Sequence, residues 1–253
     1  MSNFVVNPYS FVAGGIDDTG LKAYYHFSEE EDDIINESES AVDLGSGADI
    51  QITNGTYNQD DGSPFGYSMY FNSSNSAYGT FGTSKSQWSY QFSQTAEWSR
   101  VFWLRLRSTS AEQWFMGDTE SKAGEYQYIP NNEFHSQILN DTPATVSSNT
   151  TTGTFIPDTT SWNMYSFTYD QSLSSDNLKV QINASDEQTY SKRDPPVTPY
   201  DGDSTNVRAI ASKSASPGSY GNFNIAELSE WSVIIDQDTI DALFNGGSGA
   251  TIY

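Results

Sequence analysis

Short segments in which apolar and polar residues alternate recur along the whole chain, and they constrain its fold more than any other feature. Three of them stand far apart, at residues 20–27, 162–170 and 224–231. Alternation with a period of two is typical of a β-strand with one buried face. In the third segment Ile225 and Leu228 break the alternation, which predicts a β-bulge or a sheet edge there. We therefore expect a chain built from β-sheets.

The strongest predicted strand covers residues 100–107. Phe102, Leu104 and Leu106 point to one side of that strand, which we expect to face the core. In the first strand, residues 21–27, the apolar positions 21, 23, 25 and 27 are predicted to share one face. Further strands are predicted at residues 41–44, 50–52, 67–71, 78–81, 114–116, 125–129, 134–139, 162–169, 178–182, 207–211 and 223–235.

One short helix is predicted close to the C-terminus. Asp236 or Asp238 could cap its first turn, and Gly246-Gly247 would end it. Residues 140–160 are rich in Thr, Ser, Asn and Asp, which favours either a long surface loop or an irregular sheet edge. Because no break in composition and no internal repeat divides the chain, residues 19–253 are predicted to form one domain.

Residues 1–18 are interpreted as an N-terminal arm. Pro8 interrupts two short apolar runs, and Gly14-Gly15 provides a flexible joint before the first strand. The arm is either a first strand that caps the domain or a segment that docks on a partner subunit. The sequence leaves both interpretations open.

Charge and composition exclude several classes of function. The formal net charge is −22, so binding to nucleic acid or to anionic lipid is not expected. The chain has no cysteine, which excludes disulfides, thiolate zinc sites and a cysteine nucleophile. Aromatic residues make up 14% of the sequence, which is enough to build a sizeable core between β-sheets.

The sequence also bears on localisation. Met1 is followed by polar residues, without the basic and apolar regions of a standard export signal. No stretch approaches the ~18 apolar residues that a membrane helix needs. We therefore expect no membrane insertion and no standard export, and a virus particle released by lysis would be one route to the outside of a cell.

The ordered segments resemble the laminin-G-like jelly roll of the concanavalin A-like lectin and glucanase superfamily. The resemblance covers nearly the whole chain, from Thr19 to Asn245, and matches the family's usual strand and helix patterns. The matching motifs are Gly20-Leu-Lys-Ala-Tyr-Tyr-His-Phe27, Phe102-Trp-Leu-Arg105, Trp162 to Asp170, Leu178 to Asn183, Ile225-Ala-Glu-Leu-Ser-Glu-Trp231 and Ile240-Asp-Ala-Leu-Phe244.

The resemblance implies an all-β fold, namely a two-sheet antiparallel β-sandwich (a jelly roll) with a short C-terminal helix. It also implies a scaffold that mostly serves binding and display, including on phage surfaces, and less often catalysis. One departure concerns the last strand, where Ala226 stands in place of the family's usual Asp. An ion site that needs this carboxylate is therefore in doubt, although Glu227 follows it.

Glu227 and Glu230 invite comparison with glycoside hydrolases on the same scaffold. A retaining pair needs carboxyl groups about 5–5.5 Å apart. Three residues separate Glu227 from Glu230, so a regular strand would place them on opposite faces. We expect solvent-facing carboxylates there and no catalytic residue.

No metal ligand or cofactor is assigned from the sequence, but three acidic loops could each offer oxygen ligands to Ca²⁺. The alternative is that they are simply solvated. The loops are Glu29–Asp33, Asp60-Asp61-Gly62 and Asp201-Gly-Asp203. The two histidines, His26 and His135, lack a supporting motif and are interpreted as ordinary strand residues.

Exposed aromatic rings near strand ends could stack on the C–H face of a sugar. In such an aromatic chain the alternative for each ring is a place in the core or at its rim. The candidates are Trp88, Tyr90, Trp98, Trp114 and Tyr128.

These features lead to three hypotheses about function. The first is a non-enzymatic virion surface protein, for capsid decoration or in a tail or fibre, that forms a homo-oligomer, docks on shell or tail proteins through residues 1–18 and adheres to glycans. The second is a carbohydrate-binding module of a bacterial surface or polysaccharide-degrading protein. The third is a glycoside hydrolase that depends on Glu227.

Overall fold

Two antiparallel sheets packed face to face make up the fold, as predicted. The computed structural model describes residues 16–28, 33–34, 49–57, 62–81, 88, 90–91, 95–108, 112–118, 124–129, 134–139, 146–151, 159–173, 175–190, 207–213 and 218–252. The predicted strand at 41–44, residues 1–15 of the arm and most of the three acidic loops lie outside these residues. The division into arm and domain therefore stays a prediction.

Sixteen strands and one α-helix are found in the described residues. In chain order they are β1 (Leu21–Tyr25), β2 (Asp33–Ile34), β3 (Ile50–Thr53), β4 (Thr56–Tyr57), β5 (Met69–Phe71), β6 (Tyr78–Phe81), β7 (Glu97–Leu106), β8 (Gln113–Gly117), β9 (Gly124–Ile129), β10 (Phe134–Leu139), β11 (Val146–Thr151), β12 (Asn163–Asp170), β13 (Leu178–Ile182), β14 (Ser185–Tyr190), β15 (Arg208–Ile210), β16 (Phe223–Trp231) and α1 (Gln237–Phe244).

Each sheet contains eight strands. Sheet A has the order β14-β13-β12-β7-β16-β5-β4, and β1 also pairs with β16. Sheet B has the order β11-β10-β9-β8-β15-β6-β3-β2. β5 and β1 share one side of β16, where β5 pairs with its first half and β1 with its second half. The last strand therefore changes partner near its middle.

The main core lies between the two sheets and is rich in aromatic rings. Phe102, Leu104 and Leu106 belong to it, as predicted from the alternation in β7. The rings of Phe102 and Tyr165 stack across β7 and β12, with centroids 5.6 Å apart. Such aromatic pairs add stabilisation beyond the area that they bury.

A second apolar cluster covers the outer face of sheet A. It joins Val101, Trp103 and Trp231 of the strands to Ile240 and Leu243 of α1. The helix begins where Asp236 accepts a hydrogen bond from the amide of Thr239, at 2.9 Å, as the predicted N-cap. It ends at Phe244, because Asn245 adopts the left-handed conformation.

Two predicted strands are shorter or less regular than expected. The register of β1 shifts between Leu21 and Ala23, so Leu21 packs in the outer cluster while Ala23 and Tyr25 pack in the main core. The prediction of one shared face was wrong for this reason. β16 ends at Trp231, because the chain then turns across sheet A and the amide of Ile235 bonds to the Ser99 hydroxyl at 3.0 Å.

Within residues 140–160 the described segment 146–151 is β11, which forms an edge of sheet B, as in the sheet-edge alternative. The strands β2, β4 and β14 were not predicted. Of these, β14 pairs with β13 through a two-residue turn. Both turn residues, Asn183 and Ala184, have positive φ, at 54° and 55°. Such turns suit the twist of a hairpin. Within the described part of the chain, no helix is long and apolar enough to cross a membrane.

Candidate functional site

The predicted bulge in the last strand is present, and Glu227 lies in it. The register between β16 and β7 shifts between Ala226 and Ser229, and Glu227 has a φ of 49°. This is also where β16 changes its partner from β5 to β1. A non-glycine residue in this region of φ is uncommon and costs conformational energy, so the surrounding contacts must hold it.

Three polar side chains bind the Glu227 carboxylate. Tyr24 donates its hydroxyl to Oε2 and Tyr67 donates its hydroxyl to Oε1. His26 Nδ1 lies 2.7 Å from Oε1 and 3.0 Å from the Tyr67 hydroxyl oxygen. The Glu227 side chain is only 4% exposed, so the expectation of a solvent-facing carboxylate was wrong. Burial and the neighbouring Glu227 charge raise the pKa of Tyr24, which stays a neutral donor.

Glu230 is buried in the main core and binds two arginines. Arg100 Nε donates to Oε1 at 3.1 Å, and Arg208 Nη1 lies 3.0 Å from Oε2. Tyr90 and Gln91 also donate to Oε2, at 3.0 and 2.8 Å. Burial by itself would raise the pKa of Glu230, but the arginine charges outweigh it and hold the pKa below its ordinary value.

The two arginines are enclosed by further core groups. Arg208 Nη2 lies 3.6 Å from Oδ2 of Asp118, which is fully buried. The Trp88 ring lies 4.3 Å from the Arg208 guanidinium, and the Trp98 ring lies 5.2 Å from that of Arg100. Two cations thus face two carboxylates in the described part of this network. The positive and negative charges of these buried side chains therefore compensate each other, and the network joins sheet A to sheet B.

Glu227 and Glu230 therefore point to opposite faces of sheet A, as the sequence predicted. The bulge does not bring them together: Glu227 bonds to Tyr24 on the outer side, and Glu230 bonds to Arg208 between the sheets. Neither can act with the other across one scissile bond, which a retaining pair must do. The geometry gives no support to the hydrolase hypothesis at these residues.

The other polar candidates do not assemble into a site. His26 follows β1 in sheet A, whereas the backbone places His135 on β10 in sheet B. Among the residues that the structure describes, no group of three or more His, Cys, Asp or Glu side chains could hold a metal ion. The Ca²⁺ prediction for the acidic loops stays a prediction.

Three of the five aromatic candidates lie in the core or at its rim. Trp88 and Trp98 are fully buried and pack against the arginines. Tyr90 packs against the core and bonds to Glu230, and its burial raises its pKa well above the ordinary value. Trp88 and Trp98 have no face open to solvent, so they cannot stack on a sugar, whereas Tyr90 is partly buried and lies at the rim of the core. The core interpretation was correct for them.

Trp114 and Tyr128 form an aromatic pair on the outer face of sheet B. They are directly opposed on β8 and β9, with ring centroids 4.4 Å apart and planes only 8° from parallel. Trp114 is 4% exposed, so its ring mainly supports its neighbour. Tyr128 is half-buried and keeps part of its ring at the surface. We call Trp114, Tyr128, Lys213 and Glu112 the aromatic ridge.

Two charged side chains flank this pair. Lys213 is exposed, and its Nζ lies 5.3 Å from the Trp114 ring centroid, a cation–π arrangement. Glu112 accepts a hydrogen bond from Trp114 Nε1 at 3.2 Å. Burial and the Glu112 charge raise the pKa of Tyr128, so its hydroxyl stays a donor. Sequence reasoning missed Lys213 because it follows β15, far along the chain from β8.

Comparison with solved structures shows that the fold is similar to that of botulinum neurotoxin binding domains. The binding domain of botulinum neurotoxin serotype D/C matches with a TM-score of 0.63 at 13% identity, over 90% of this chain and 52% of that one. The binding domain of botulinum neurotoxin DC in complex with SialylT matches with a TM-score of 0.62 at 12% identity, over 90% of this chain and 52% of that one.

A third structure concerns the type C neurotoxin, whose cell entry is described as dependent upon interaction with two ganglioside molecules. It matches with a TM-score of 0.59 at 13% identity, over 90% of this chain and 51% of that one. The chain thus spans about half the length of these relatives. At such low identity the likeness shows the jelly-roll β-sandwich fold alone. No protein-family model and no curated protein matches the sequence.

Proposed function

We propose that this chain is a non-enzymatic, glycan-binding β-sandwich that uses the aromatic ridge on sheet B. The observation that carries the proposal is the coplanar Trp114–Tyr128 pair, which holds a half-exposed tyrosine ring in a fixed orientation. A rigid ring loses little conformational entropy when a ligand stacks on it.

The polar groups beside the ring suit sugar hydroxyls. Lys213 supplies a donor, Glu112 supplies an acceptor, and the Tyr128 hydroxyl can act as both. One neurotoxin binding domain of similar fold is described in complex with SialylT, and the cell entry of the type C neurotoxin is described as dependent upon two ganglioside molecules, which supports a glycan as the ligand. The separation of Glu227 from Glu230 supports binding without hydrolysis.

Variants of Tyr128 test the proposal. The full chain would first be screened on an array of neutral and acidic oligosaccharides, and the strongest ligand would be measured by calorimetry. Tyr128→Ala should raise Kd about tenfold, because a stacked aromatic contact contributes about 0.5–1.5 kcal/mol beyond its buried area.

Two control variants sharpen this test. Tyr128→Phe keeps the ring and should bind almost normally, and Tyr57→Ala makes the same truncation on β4 of sheet A, where binding should be unchanged. Binding that survives Tyr128→Ala, or no binding to any glycan on the array, would defeat the proposal.

We further propose that the sandwich is displayed on a virus particle, as capsid decoration or in a tail or fibre, and that residues 1–18 dock it there as a homo-oligomer. The resemblance to jelly rolls found on phage surfaces, the strongly acidic composition and the two apolar runs of the arm support this role. Light scattering and native mass spectrometry on the full chain and on a form without residues 1–18 test it. An oligomer that becomes monomeric on truncation is expected. A monomer in both forms would favour the carbohydrate-binding-module alternative.

A further inference from the structure

A cleft of about 250 Å³ opens on the outer face of sheet A, on the opposite side of the sandwich from the aromatic ridge. Its floor consists of Ser166 and Thr168 on β12 and Lys179 and Gln181 on β13. Its wall is the segment that leads from β16 into α1, including Ile234. The cleft shares no residue with the aromatic ridge.

Strand alternation explains the polar floor. Tyr165 and Phe167 point into the main core, so Ser166 between them points outward. Ser166 is paired across the strands with Gln181, and Thr168 with Lys179. Nearer to β16 the same outer face is apolar and covered by α1. The face thus turns from apolar to polar where the helix stops covering it.

Two hydroxyls of the floor have few protein partners. Thr168 is only 7% exposed, and among the residues that the structure describes its side chain makes no hydrogen bond. Ser166 is 2% exposed and has one long contact, 3.4 Å to Gln181 Oε1. Thr168 Oγ1 is not among the buried atoms that lack a partner, so it is open to the cleft, where a ligand hydroxyl can bond to it in place of water.

The wall is held in place by backbone contacts. The Ser99 hydroxyl donates to the carbonyl of Val233 at 2.8 Å and accepts from the amide of Ile235 at 3.0 Å. Between these two anchors Ile234 turns outward and is 41% exposed, one of the two large apolar side chains most open to solvent in the described residues. The cleft therefore combines a hydrogen-bonding floor with an apolar edge.

The cleft carries one charge of each sign, so it favours neither an anionic nor a cationic ligand. Lys179 brings an ammonium group to the floor, and Asp236 brings a carboxylate to the wall. A strongly anionic or cationic molecule would meet a group of its own sign. A neutral polyol has hydroxyls that both donate and accept, and it can bond to both charged groups.

We propose that this cleft is a second glycan site, which binds a single neutral pyranose unit. The hydroxyls of the sugar bond to Thr168, Ser166 and Lys179, and its C–H face packs on Ile234. The volume is below that of pockets for drug-sized ligands, which fits one ring rather than a chain. With the aromatic ridge on the other sheet, one chain could bind two glycans on opposite faces.

Nuclear magnetic resonance on the full, isotope-labelled chain tests the proposal. The probes are the methyl glycosides of glucose, galactose, mannose and N-acetylglucosamine, titrated to saturation. At least one should shift the backbone amides of Ser166–Thr168 and Lys179–Gln181. Thr168→Val keeps the shape and removes the hydroxyl, and it should raise Kd at these amides at least about tenfold. Gln181→Ala gives an independent second variant.

Matched controls separate this inference from the proposed function. Thr80→Val makes the same change on β6 of sheet B and should leave the cleft titration unchanged. Tyr128→Ala should weaken binding at the aromatic ridge about tenfold and leave the cleft titration intact. A wild-type chain that shows the cleft titration but binds no glycan at the aromatic ridge would defeat only the proposed function.

Three outcomes would overturn the second site. One is that no glycoside shifts the cleft amides at saturation. Another is a shift that is unchanged in both Thr168→Val and Gln181→Ala. A third is that the amides respond to acetate or to methylammonium but to no sugar, which would assign the cleft to a charged ligand.

Discussion

Glu227 and Glu230 lie three residues apart on the same strand, and both are buried, yet their surroundings differ completely. Glu230 faces the main core and binds Arg100 and Arg208. Glu227 faces the outer side and binds Tyr24, Tyr67 and His26. One carboxylate has full cationic partners, and the other is held mainly by hydroxyl donors.

The difference follows from how far each carboxylate is from solvent. Glu230 and its arginines are at most 1% exposed, so an uncompensated charge there would have no access to water. Beside Glu227, the His26 side chain is 13% exposed. At such a rim, hydroxyl donors, the His26 ring and nearby solvent stabilise a carboxylate without a buried arginine. The depth of burial therefore decides which kind of partner a strand carboxylate needs.

The largest expected effect is that of Glu230→Gln. The variant keeps the shape of the side chain but leaves two buried guanidinium groups with too little negative charge. Breaking a buried ion pair from one side costs about 3–5 kcal/mol of unfolding free energy. Urea denaturation followed by tryptophan fluorescence would measure it.

Glu97→Gln is the matched control for this change. Glu97 is an exposed carboxylate on β7, and its loss should change stability by less than about 0.5 kcal/mol. A loss at Glu230 no larger than that of the control would contradict the role given to the arginine pair.

The next largest effect concerns the stability of wild type and Glu230→Gln at acid pH. Because the pKa of Glu230 is held below its ordinary value of 4.5, the folded state releases this proton more easily than the unfolded state does. Its contribution to stability is therefore complete above about pH 4.5 and is lost as pH falls through the lower folded-state pKa. The stability difference between wild type and Glu230→Gln should shrink over that range. A constant difference from pH 6 to pH 2 would contradict it.

Alternation predicted most of the sheet faces, because period-two patterns report burial directly. It placed Phe102 in the core, and the broken pattern at Ile225 and Leu228 correctly predicted the bulge. It was wrong for Leu21, because the register shift in β1 turns this side chain to the outer face of the sheet, and the amino-acid sequence does not reveal such a shift. The hairpin to β14 was missed because its strand, Ser185–Tyr190, is almost entirely polar.

The partners within the sites could not be predicted in the same way. Arg208 and Glu230 meet only because β15 and β16 lie in different sheets that face each other. Aromatic content suggested Trp114 and Tyr128 as candidates, but only the pairing of β8 with β9 makes them neighbours. Nothing in the sequence indicates that Thr168 is a site residue, because threonine is common at outward-facing strand positions.

A smaller effect is expected for Glu227→Gln. The variant loses the negative charge that strengthens the hydrogen bonds from Tyr24 and Tyr67, but it leaves no buried cation unpaired. Hydrogen bonds to a charged group contribute about 1.5–3 kcal/mol, so the loss should fall in that range and stay below that of Glu230→Gln. Urea denaturation under the same conditions measures it. A loss equal to or above that of Glu230→Gln would break the comparison, because neutral donors would then matter as much as arginines.

The smallest effect concerns Tyr24, which links the Glu227 cluster to the C-terminal segment. Its hydroxyl donates to Glu227 and accepts from the amide of Ile252 at 3.0 Å. Tyr24→Phe should lower stability by about 1 kcal/mol and speed hydrogen exchange at the Ile252 amide. Tyr67→Phe removes a donor from the same carboxylate without touching Ile252, so it should leave that exchange rate unchanged. Equal exchange in the two variants would mean that the cluster does not anchor the C-terminal segment.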